Sequence, residues 1–410
     1  MVRTADLQNA AHSGEAPRVM AYCHDGVGLG HLRRTLTICE HVGKLYPQCS
    51  FLVATGTPYF PLFRQPPRVD CLKLPALAKR ADGSYYSKYM NIPFERLRNC
   101  RVSLLLQAVQ SYEPDVLLVD KAPVGVCGEL LPALEWLRRH RPDTRIVFGM
   151  RDIEDDPDAT IRQWTRLGAQ RVIEECFDEV WVYGMRCVFD VAAEYCFPRP
   201  VRRKLSYTGY VTREPCRHPV RTSSDQRTVL VTVGGGTDGE RVLTTYLASA
   251  ARRIAEAGAI SILVVGPDLP RAAAERLRQA AGRTPGTRWL DYESCMSCRI
   301  RESDLIVSMG GYNTMCELAQ QRKPALIIPR TKPRLEQTIR ARLWEKLGAV
   351  SALPGEELNP DVLAERVVHM LGNGTRSTTP RVDMQGLDRI AARFGAFWAE
   401  ERGSATAVRV

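Results

Sequence analysis

The chain has 410 residues, of which 44% are hydrophobic and 25% charged, and this predicts a globular protein of two or three domains. No apolar run approaches the length that crosses a bilayer, and the first residues lack the apolar core of a signal peptide, so the cytoplasm is the expected location. The net charge of +11 comes from arginines that are dispersed along the chain, which disfavours nucleic acid as a partner. The 13 cysteines are irregularly spaced, which disfavours a secreted disulfide framework.

The first predicted elements are strand–helix–strand units. After an expected disordered lead at residues 1–17, residues 18–23 predict a strand that runs into a glycine-rich turn. Apolar residues from Leu32 to Val42 then recur at helical spacing, and residues 51–54 predict a second strand. Units of this kind build parallel sheets.

An irregular stretch with several prolines follows at residues 55–99 and includes A-L-A-K-R-A-D-G-S-Y-Y-S-K-Y. A loop of this length in a compact domain is usually functional or disordered. Lys79 and Tyr85 are therefore candidate acceptor-binding residues, and a merely solvated flap is the alternative.

The alternation of strands and helices then resumes. The predicted helices lie at 101–112, 128–140, 159–176 and 185–195, and the predicted strands at 116–119, 145–148, 179–183 and 207–211.

Polar residues follow two of these strands, as Asp120-Lys121 and Arg151-Asp152. Ligands of open α/β sheets bind at the carboxyl ends of the strands. Asp120 and Asp152 could act as general bases, hold sugar hydroxyls or only cap helices, and the sequence leaves these alternatives open. Lys121 and Arg151 are candidate acceptor-binding residues.

A second α/β series follows a basic linker at 212–227. Its predicted strands lie at 228–233, 261–265, 288–290, 304–307 and 325–328. One predicted helix follows the turn at 234–239 and ends near residue 257, and another begins near residue 314. The remaining predicted helices lie at 271–281, 336–347, 361–371 and 383–400. The expected domains are 18–211 and 228–380. A helix at 381–401 is expected to pack back toward the first domain, with a tail at 402–410.

Two glycine turns of the second series each stand between a strand and a helix. One contains Gly310 and Gly311, with Asn313 as the expected N-cap of a helix that begins near Thr314, and the other spans residues 234–239. The N–H groups and the dipole of a helix start bind anions, so we expect one diphosphate between the two helix starts. The alternative for either turn alone is an ordinary tight turn. No acidic residue ends the strand that follows the second turn, as the ribose of NAD would need.

Glu317 lies about one helical turn into the helix after the first glycine turn. A carboxylate beside a phosphate repels it, so the expected partner of Glu317 is a neutral diol, and a phosphate with a diol describes a ribonucleotide. Arg330 and Arg334 flank the following loop. They could pair with a leaving diphosphate or lie in solvent.

The stretch from Ser308 to Gln337 resembles the donor-binding segment of GT-B glycosyltransferases of the MurG type, the group with a family 28 C-terminal domain. In that group a helix Glu binds the ribose diol and a Gln after the next strand meets the donor sugar, which are the positions of Glu317 and Gln337. The chain departs from the group at Ile339-Arg340, where the group has Asn-Ala. The expected donor-binding residues are Gly234, Gly235, Gly236, Thr237, Gly310, Gly311, Asn313, Thr314, Glu317, Arg330, Glu336 and Gln337.

The G-L-G-H-x-R-R motif at 28–34 resembles a group of predicted bacterial glycosyltransferases, as do D-K-x-P-x-G at 120–125 and M-R-D-I at 150–153. This resemblance implies that the Gly-rich first loop lines the cleft. The expected acceptor-side residues of that loop are Gly28, Gly30 and Arg33.

His31 sits at the start of the first helix. A helix N-terminus lowers a histidine pKa and favours the neutral imidazole that a general base needs. The alternative is a histidine that only caps the helix.

The resemblance implies two Rossmann-like α/β domains with parallel sheets that face an interdomain cleft, with the acceptor bound by the first domain and the sugar nucleotide by the second. It implies inverting transfer of a sugar from a nucleoside diphosphate and favours UDP. No metal or cofactor is expected, because helix N-termini and arginines supply the positive charge that stabilises the departing diphosphate. The expected acceptor is a small molecule, a lipid or a glycan. A basic face would also suit peripheral contact with the inner face of a membrane that carries the acceptor.

Two rival functions remain open. One is a nucleotide-sugar hydrolase or epimerase on the same fold, against which the long stretch at 55–99 argues, since it suits a bulky acceptor better than water. The other is a non-catalytic nucleotide-sugar-binding protein, against which the basic side chains and candidate bases of the first domain argue.

The segment Cys295-Met-Ser-Cys298 forms a C-x-x-C motif. A structural zinc site needs four ligands, and no second pair or nearby histidine is apparent, so a metal is not expected. Most of the cysteines are expected to be small buried hydrophobic residues.

Overall fold

The computed structural model describes residues 16–23, 30–80, 84–216, 226–372 and 382–407. Gly28, most of the expected lead and the centre of the expected linker lie outside these residues. Within the described part of the chain, no helix combines the length and the apolar character that a membrane span requires.

The first domain is built on a parallel sheet. Its strands are Arg18–Cys23 (β1), Ser50–Thr55 (β2), Val69–Lys73 (β3), Leu77–Lys79 (β4), Tyr85–Ser87 (β5), Val116–Asp120 (β6), Arg145–Arg151 (β7), Glu179–Tyr183 (β8) and Leu205–Tyr207 (β9). Among the described residues, seven of these strands pair in the order β3-β2-β1-β6-β7-β8-β9, and β4 and β5 form an antiparallel hairpin. All five residues of β6 are buried, as expected for a central strand covered on both faces.

The helices of the first domain depart from the predicted pattern at several places. They are Gly30–Leu45 (α1), Phe94–Tyr112 (α2), Leu131–His140 (α3), Pro157–Leu167 (α4), Ala169–Cys176 (α5), Val191–Glu194 (α6) and Arg199–Arg203 (α7), with short 3-10 helices at Phe60–Leu62 and Val126–Gly128. The helix expected at 159–176 is divided because Gly168 adopts φ 61, in the left-handed region that ends helices. Only a short part of the helix expected at 185–195 is formed, and Asp190 caps it.

The second domain repeats the same architecture. Its strands are Thr228–Thr232 (β10), Ile260–Val264 (β11), Thr287–Leu290 (β12), Leu305–Ser308 (β13), Ala325–Ile327 (β14) and Ser351–Ala352 (β15), and within the described residues they pair in parallel in the order β12-β11-β10-β13-β14-β15. Its helices are Glu240–Thr245 (α8), Ala251–Glu256 (α9), Arg271–Arg283 (α10), Met296–Glu302 (α11), Tyr312–Gln321 (α12), Glu336–Lys346 (α13) and Pro360–Gly372 (α14). A π-helical turn at Tyr246–Ala250 joins α8 to α9. The predicted α/β fold with two parallel sheets is confirmed.

The stretch at 55–99 is more regular than the sequence predicts. β3 extends the edge of the first sheet, β4 and β5 form the hairpin, and α2 begins at Phe94 rather than near residue 101. Strands of three to five residues leave too short a hydrophobic pattern to be recognised between prolines.

The last helix, Gly386–Ala407 (α15), packs on the first domain. Its Phe394 ring lies 5.6 Å from the ring of Trp181 in β8, and its Trp398 ring lies 4.8 Å from that of Tyr46 just after α1. The helix also continues into the expected tail. Aromatic burial on the first domain explains why a segment beyond the second sheet folds back.

Candidate functional site

A cavity of about 570 Å³ lies between the two domains, at the carboxyl ends of both sheets. Open parallel sheets bind their ligands at this edge. The predicted residues that line it are Gly30, His31, Arg33, Lys79, Tyr85, Lys121, Arg151, Gly234, Gly235, Gly236, Thr237, Gly311, Asn313, Thr314, Glu317, Arg330, Glu336 and Gln337. The lining does not include Asp120, Asp152 or Gly310, and Gly28 lies outside the described residues.

His31, Asp120 and Arg34 form a hydrogen-bonded cluster in which His31 and Arg34 line the cavity and Asp120 lies behind them. His31 is the second residue of α1, and Asp120 is the last residue of β6. His31 Nδ1 lies 2.5 Å from Asp120 Oδ2, while Arg34 donates to Asp120 Oδ1 from Nε at 3.1 Å and from Nη2 at 2.5 Å. Asp120 is 2% exposed, so it acts on the cavity through His31 and is not itself placed to meet a substrate.

The carboxylate of Asp120 determines the tautomer of His31. A carboxylate paired with arginine only accepts hydrogen bonds, so Nδ1 of His31 carries the proton and Nε2 carries the lone pair. Arg34 Nη2 is 2.9 Å from the same Nδ1, but in this tautomer both groups are donors, and the contact is not a hydrogen bond.

Burial lowers the pKa of His31 well below its usual value, and the nearby charges of Lys121, Arg34 and Arg151 lower it further. The imidazole is therefore neutral across the physiological pH range. A neutral ring with an acceptor nitrogen is the form that general-base catalysis requires.

Cationic side chains surround the part of the cavity next to His31. Lys121 and Arg151 come from the first domain and Arg334 from the second. Burial lowers the pKa of Lys121 well below its usual value, and the positive charges of Arg334 and Arg151 add to the shift. Glu154 Oε2 accepts a hydrogen bond from Arg151 Nη2 at 3.1 Å. A cluster in which cations outnumber carboxylates suits an anionic ligand.

Both glycine turns need glycine for their own packing. A Cβ at Gly310, which has φ 79, would lie 2.7 Å from Ile327 Cγ2. A Cβ at Gly236, which has φ 99, would lie 2.5 Å from the carbonyl oxygen of Val265. Only glycine fits such positions without displacing the neighbouring element, so each turn can bring its backbone close to a ligand.

The starts of α1 and α12 meet at the cavity. Asn313 Nδ2 donates a hydrogen bond to the carbonyl oxygen of Gly30 at 3.0 Å, which joins the two domains there. The prediction that Asn313 caps a helix beginning near Thr314 is wrong, because α12 already begins at Tyr312 and the Asn313 amide reaches across the cleft. Two helix N-termini from different domains therefore face one cavity, and both favour a bound anion.

Glu317 lies in the second turn of α12 and forms part of the cavity wall. Its Oε1 lies 3.3 Å from Nε of Arg213, which belongs to the expected linker. Arg213 balances the charge of this carboxylate. Glu317 still lines the cavity, so a ligand there would contact it.

Arg330 is already paired with two carboxylates. Its Nη1 lies 2.6 Å from Asp238 Oδ2, and its Nη2 lies 2.6 Å from Glu336 Oε1. Burial raises the pKa of Glu336, but Arg151 and Arg330 outweigh burial and lower it to about 2. The backbone N–H of Arg330 donates to Gln337 Oε1 at 3.2 Å and orients that amide toward the loop.

Asp152 binds Arg340 and does not reach the cavity. It is 2% exposed, and its carboxylate accepts from Arg340 Nε at 3.0 Å and from Nη2 at 2.8 Å. A general base must reach the proton that it removes, so we correct the predicted role of Asp152 from catalytic to structural. Arg340 Nη1 also donates to the carbonyl oxygen of Gly310 at 3.3 Å. The ion pair thus connects the first domain to the glycine turn of the second.

Several residues of the site were absent from the predicted set. Arg34 stands three residues after His31, a spacing that places both on one helix face. The motif at 28–34 could therefore have indicated Arg34 as a site residue. Tyr292, Glu293 and Met296 line the cavity from the segment before and at the start of α11. That segment carries no glycine turn or strand-end motif that would have indicated it.

Comparison with known proteins assigns the second domain to a family. The glycosyltransferase family 28 C-terminal domain matches residues 228–393, a range that includes both glycine turns and Glu317. A relative from Geobacillus thermodenitrificans (strain NG80-2), a UDP-N-acetylglucosamine–N-acetylmuramyl-(pentapeptide) pyrophosphoryl-undecaprenol N-acetylglucosamine transferase, is 24% identical over 272 residues. The match covers 62% of this chain and 72% of the relative.

Solved structures show the same two-domain fold. MurG of Acinetobacter baumannii matches with a TM-score of 0.53 and 13% identity, over 91% of this chain and 99% of that one. A putative UDP-N-acetylglucosamine 2-epimerase from Listeria monocytogenes matches with a TM-score of 0.60 and 12% identity, over 94% of this chain and 97% of that one. The fold is therefore GT-B. It does not select a reaction, because a transferase and an epimerase share it.

Proposed function

We propose that this chain, whose second domain matches the family 28 C-terminal domain and whose fold is GT-B, is a MurG-like glycosyltransferase that moves a sugar from a UDP-sugar to an acceptor hydroxyl with inversion of configuration. One observation carries the proposal: the N-termini of α1 and α12, both glycine turns and His31 converge on a single cavity. The uridine donor is supported by the relative from Geobacillus thermodenitrificans, whose name specifies UDP-N-acetylglucosamine.

In this proposal the diphosphate lies at the start of α12, between the two glycine turns. Glu317 accepts hydrogen bonds from the ribose diol one turn further along the helix. The nucleobase of the donor then extends toward the part of the cavity lined by Val264, Pro267 and Met296. The side chain of Met296 is flexible and polarisable, which suits contact with an aromatic ring.

His31 acts as the general base. The acceptor hydroxyl attacks the anomeric carbon while Nε2 of His31 takes its proton, and the bond from the anomeric carbon to the diphosphate oxygen breaks with its electron pair on that oxygen. Asp120 stabilises the imidazolium that forms, as the carboxylate partner of a catalytic histidine does. The nearby cations Arg151 and Arg334, with the helix N-termini, stabilise the leaving diphosphate without a catalytic metal.

The acceptor enters beside the β4–β5 hairpin. Lys79 and Tyr85 of the hairpin line the main cavity, with the ammonium of Lys79 5.6 Å from the centre of the Tyr85 ring. A side cavity of about 100 Å³ opens from the same place, sharing Tyr85 and Lys121 and extending to Trp164. An aromatic wall with a cationic rim suits an acceptor that has both an apolar and an anionic part.

The segment directly after this hairpin supports contact with a membrane that carries a lipid acceptor. Tyr89 is 67% exposed and Met90 44% exposed, and the ammonium of Lys88 lies 5.5 Å from the Tyr89 ring. Exposed aromatic residues beside cations are typical of surfaces that rest in the headgroup region.

Hydrolysis of the nucleotide sugar is the nearest rival, because the His31–Asp120 pair would activate water as readily as a hydroxyl. We propose to incubate the protein with a panel of nucleotide sugars and a cell extract, and to identify products by mass spectrometry. A glycosylated acceptor and free UDP are the expected result. Parallel reactions without extract measure free sugar, and sugar release as fast alone as with any acceptor would contradict transfer.

A further inference from the structure

Three cysteines come together on the surface of the second domain beside the nucleotide cavity. The sulfurs of Cys216, Cys295 and Cys298 all lie within 4.8 Å of one another. The sulfurs of Cys295 and Cys298 are 2.9 Å apart, closer than an ordinary van der Waals contact and longer than a disulfide bond. The C-x-x-C motif thus gains a third thiol from the interdomain linker, which the sequence spacing did not reveal.

Secondary structure places these thiols on one side of a short helix. Cys295 is the N-cap of α11 and Cys298 lies in its first turn, so both side chains project from the same end. Cys216 is held there by its backbone, since its N–H donates to Ser297 Oγ at 3.4 Å. Gln321 Nε2 donates to the same Ser297 Oγ at 3.1 Å and connects this arrangement to α12.

The distances suit a tetrahedral zinc ion. Zinc–sulfur bonds of about 2.3 Å at tetrahedral angles place the sulfurs roughly 3.8 Å apart. The Cys295–Cys298 sulfur distance of 2.9 Å is shorter than this value, and all three sulfurs lie within 4.8 Å of one another, so small side-chain rotations would bring them to it. Three thiolates and Zn²⁺ carry one net negative charge, and Arg301 lies against it: Nη2 is 3.9 Å from Cys298 Sγ, and Nη1 donates to the carbonyl oxygen of Cys216.

We propose that Cys216, Cys295 and Cys298 bind one Zn²⁺, with water as the fourth ligand of a tetrahedral site. The ion would join the first part of the linker to α11 and would hold the adjoining segment that forms the cavity wall. In that segment the backbone N–H of Cys295 donates to Glu293 Oε1 at 3.0 Å, and both Glu293 and Met296 line the cavity. The zinc ion therefore supports the end of the cavity that receives the nucleobase in the proposed function. It takes no part in the transfer reaction.

The first test is the metal content of the full chain purified under reducing conditions. We expect about one zinc per chain in the wild type by inductively coupled plasma mass spectrometry. Cys216→Ser and Cys298→Ser should contain little zinc. Cys187→Ser is the matched control, because Cys187 is an exposed cysteine of the first domain, and it should keep the full content.

The second test adds CoCl₂ to chelator-stripped protein and follows the thiolate-to-cobalt charge-transfer absorption. Each cluster variant should bind Co²⁺ at least about tenfold more weakly than the wild type, since even losses outside the ligand set cost that much. Circular dichroism verifies that the variants are folded. Reduced wild-type protein with neither zinc nor the cobalt absorption would overturn the proposal, and so would a Cys295–Cys298 disulfide in place of metal.

A third measurement separates this site from the proposed donor site. Calorimetric titration with UDP should show weaker binding after zinc removal and recovery after ZnCl₂ is restored. Zinc that binds the three cysteines in a protein with no affinity for UDP would leave the metal site intact and contradict the donor assignment alone.

Discussion

Replacing Asp120 by asparagine should disable the proposed general base without removing it. Arg34 donates two hydrogen bonds to one oxygen of Asp120, and His31 contacts the other. Asparagine has a single side-chain oxygen, and the pair of bonds from Arg34 would draw that oxygen toward the guanidinium. The amide NH₂ would then face His31 Nδ1, which must become an acceptor, and the ring proton would move to Nε2. A base whose outer nitrogen is protonated cannot take the proton of the acceptor.

The expected loss is large because the wrong tautomer is fixed by the protein. The same substitution in a Ser-His-Asp triad lowers kcat by about 10⁴, which corresponds to about 5.4 kcal/mol of transition-state stabilisation. His31→Ala should lose transfer by about 10²–10⁴. Combining His31→Ala with Asp120→Asn should cost little beyond the larger single effect, since residues that act as a unit are not additive.

The assay is the transfer rate at saturating donor, with UDP affinity measured by calorimetry. Transfer should fall and UDP affinity should persist, because His31 and Asp120 belong to the first domain. Asp120→Asn also removes the negative charge that balances the buried guanidinium of Arg34, so a control for lost stability is needed. Glu129→Gln is suitable, because Glu129 forms a comparable buried pair with Arg101 at 2.6 Å and does not line the cavity. It should lower stability and retain transfer.

Three results would refute this reasoning. Asp120→Asn that retains transfer within about tenfold would show that Asp120 does not set the tautomer. A double variant whose losses multiply would show that His31 and Asp120 act separately. His31→Asn with full activity would show that His31 only orients the acceptor, since asparagine keeps a hydrogen bond but cannot take a proton.

Further expectations concern the donor, the domain contact, the metal requirement and pH. Glu317→Ala should weaken UDP binding by about 1.5–3 kcal/mol, roughly 10- to 150-fold, and unchanged affinity in calorimetry would remove Glu317 from the site. Arg340→Met should lower the free energy of unfolding in urea by about 3–5 kcal/mol because it leaves Asp152 buried without its partner, and Asp152→Leu should restore most of this loss; equal losses in the single and double variants would contradict the pair. Transfer at saturating donor should persist in EDTA, since cations of the protein and helix N-termini stabilise the diphosphate and loss of the proposed zinc weakens only donor binding; a loss of activity that Mg²⁺ or Mn²⁺ alone restores would contradict this. Burial lowers the pKa of His31, so below about pH 6.5 the unfolded chain binds a proton that the folded chain does not, and stability should fall as the pH decreases. His31→Asn should reduce this decrease between about pH 7 and about pH 5 in urea titrations, and an identical decrease would show that His31 does not cause it.

Local patterns were sufficient to predict much of the fold and the donor side of the cavity. A strand, a glycine turn and a helix occupy consecutive residues, so Gly310, Gly311 and Glu317 could be related to one another from the sequence. The same holds for the turn that begins at Gly234. Short strands could not be predicted in this way, because the two strands of the β4–β5 hairpin have three residues each and show too little periodicity.

Contacts between distant residues could not be predicted. Cys216 joins Cys295 only when the linker lies on α11, and Arg213 pairs with Glu317 for the same reason. Asp152 stood at a strand end like Asp120, and both were equal candidates for a base. Only the tertiary structure separates them, because His31 covers Asp120 on the cavity side whereas an arginine from the other domain covers Asp152.

The departure from the family pattern at Arg340 has a structural explanation in the first domain. Arg340 binds the carboxylate of Asp152 and also donates to the carbonyl oxygen of Gly310, so one guanidinium connects the end of β7 to the donor turn. Tyr312, two residues after this glycine, donates to the carbonyl oxygen of Tyr183 at 2.9 Å. Opening the cleft would have to break these contacts together with the Asn313 bond to Gly30. The turn expected to hold the diphosphate is therefore coupled to the domain expected to hold the acceptor, and a substitution at Arg340 should change donor affinity even though its side chain does not line the cavity.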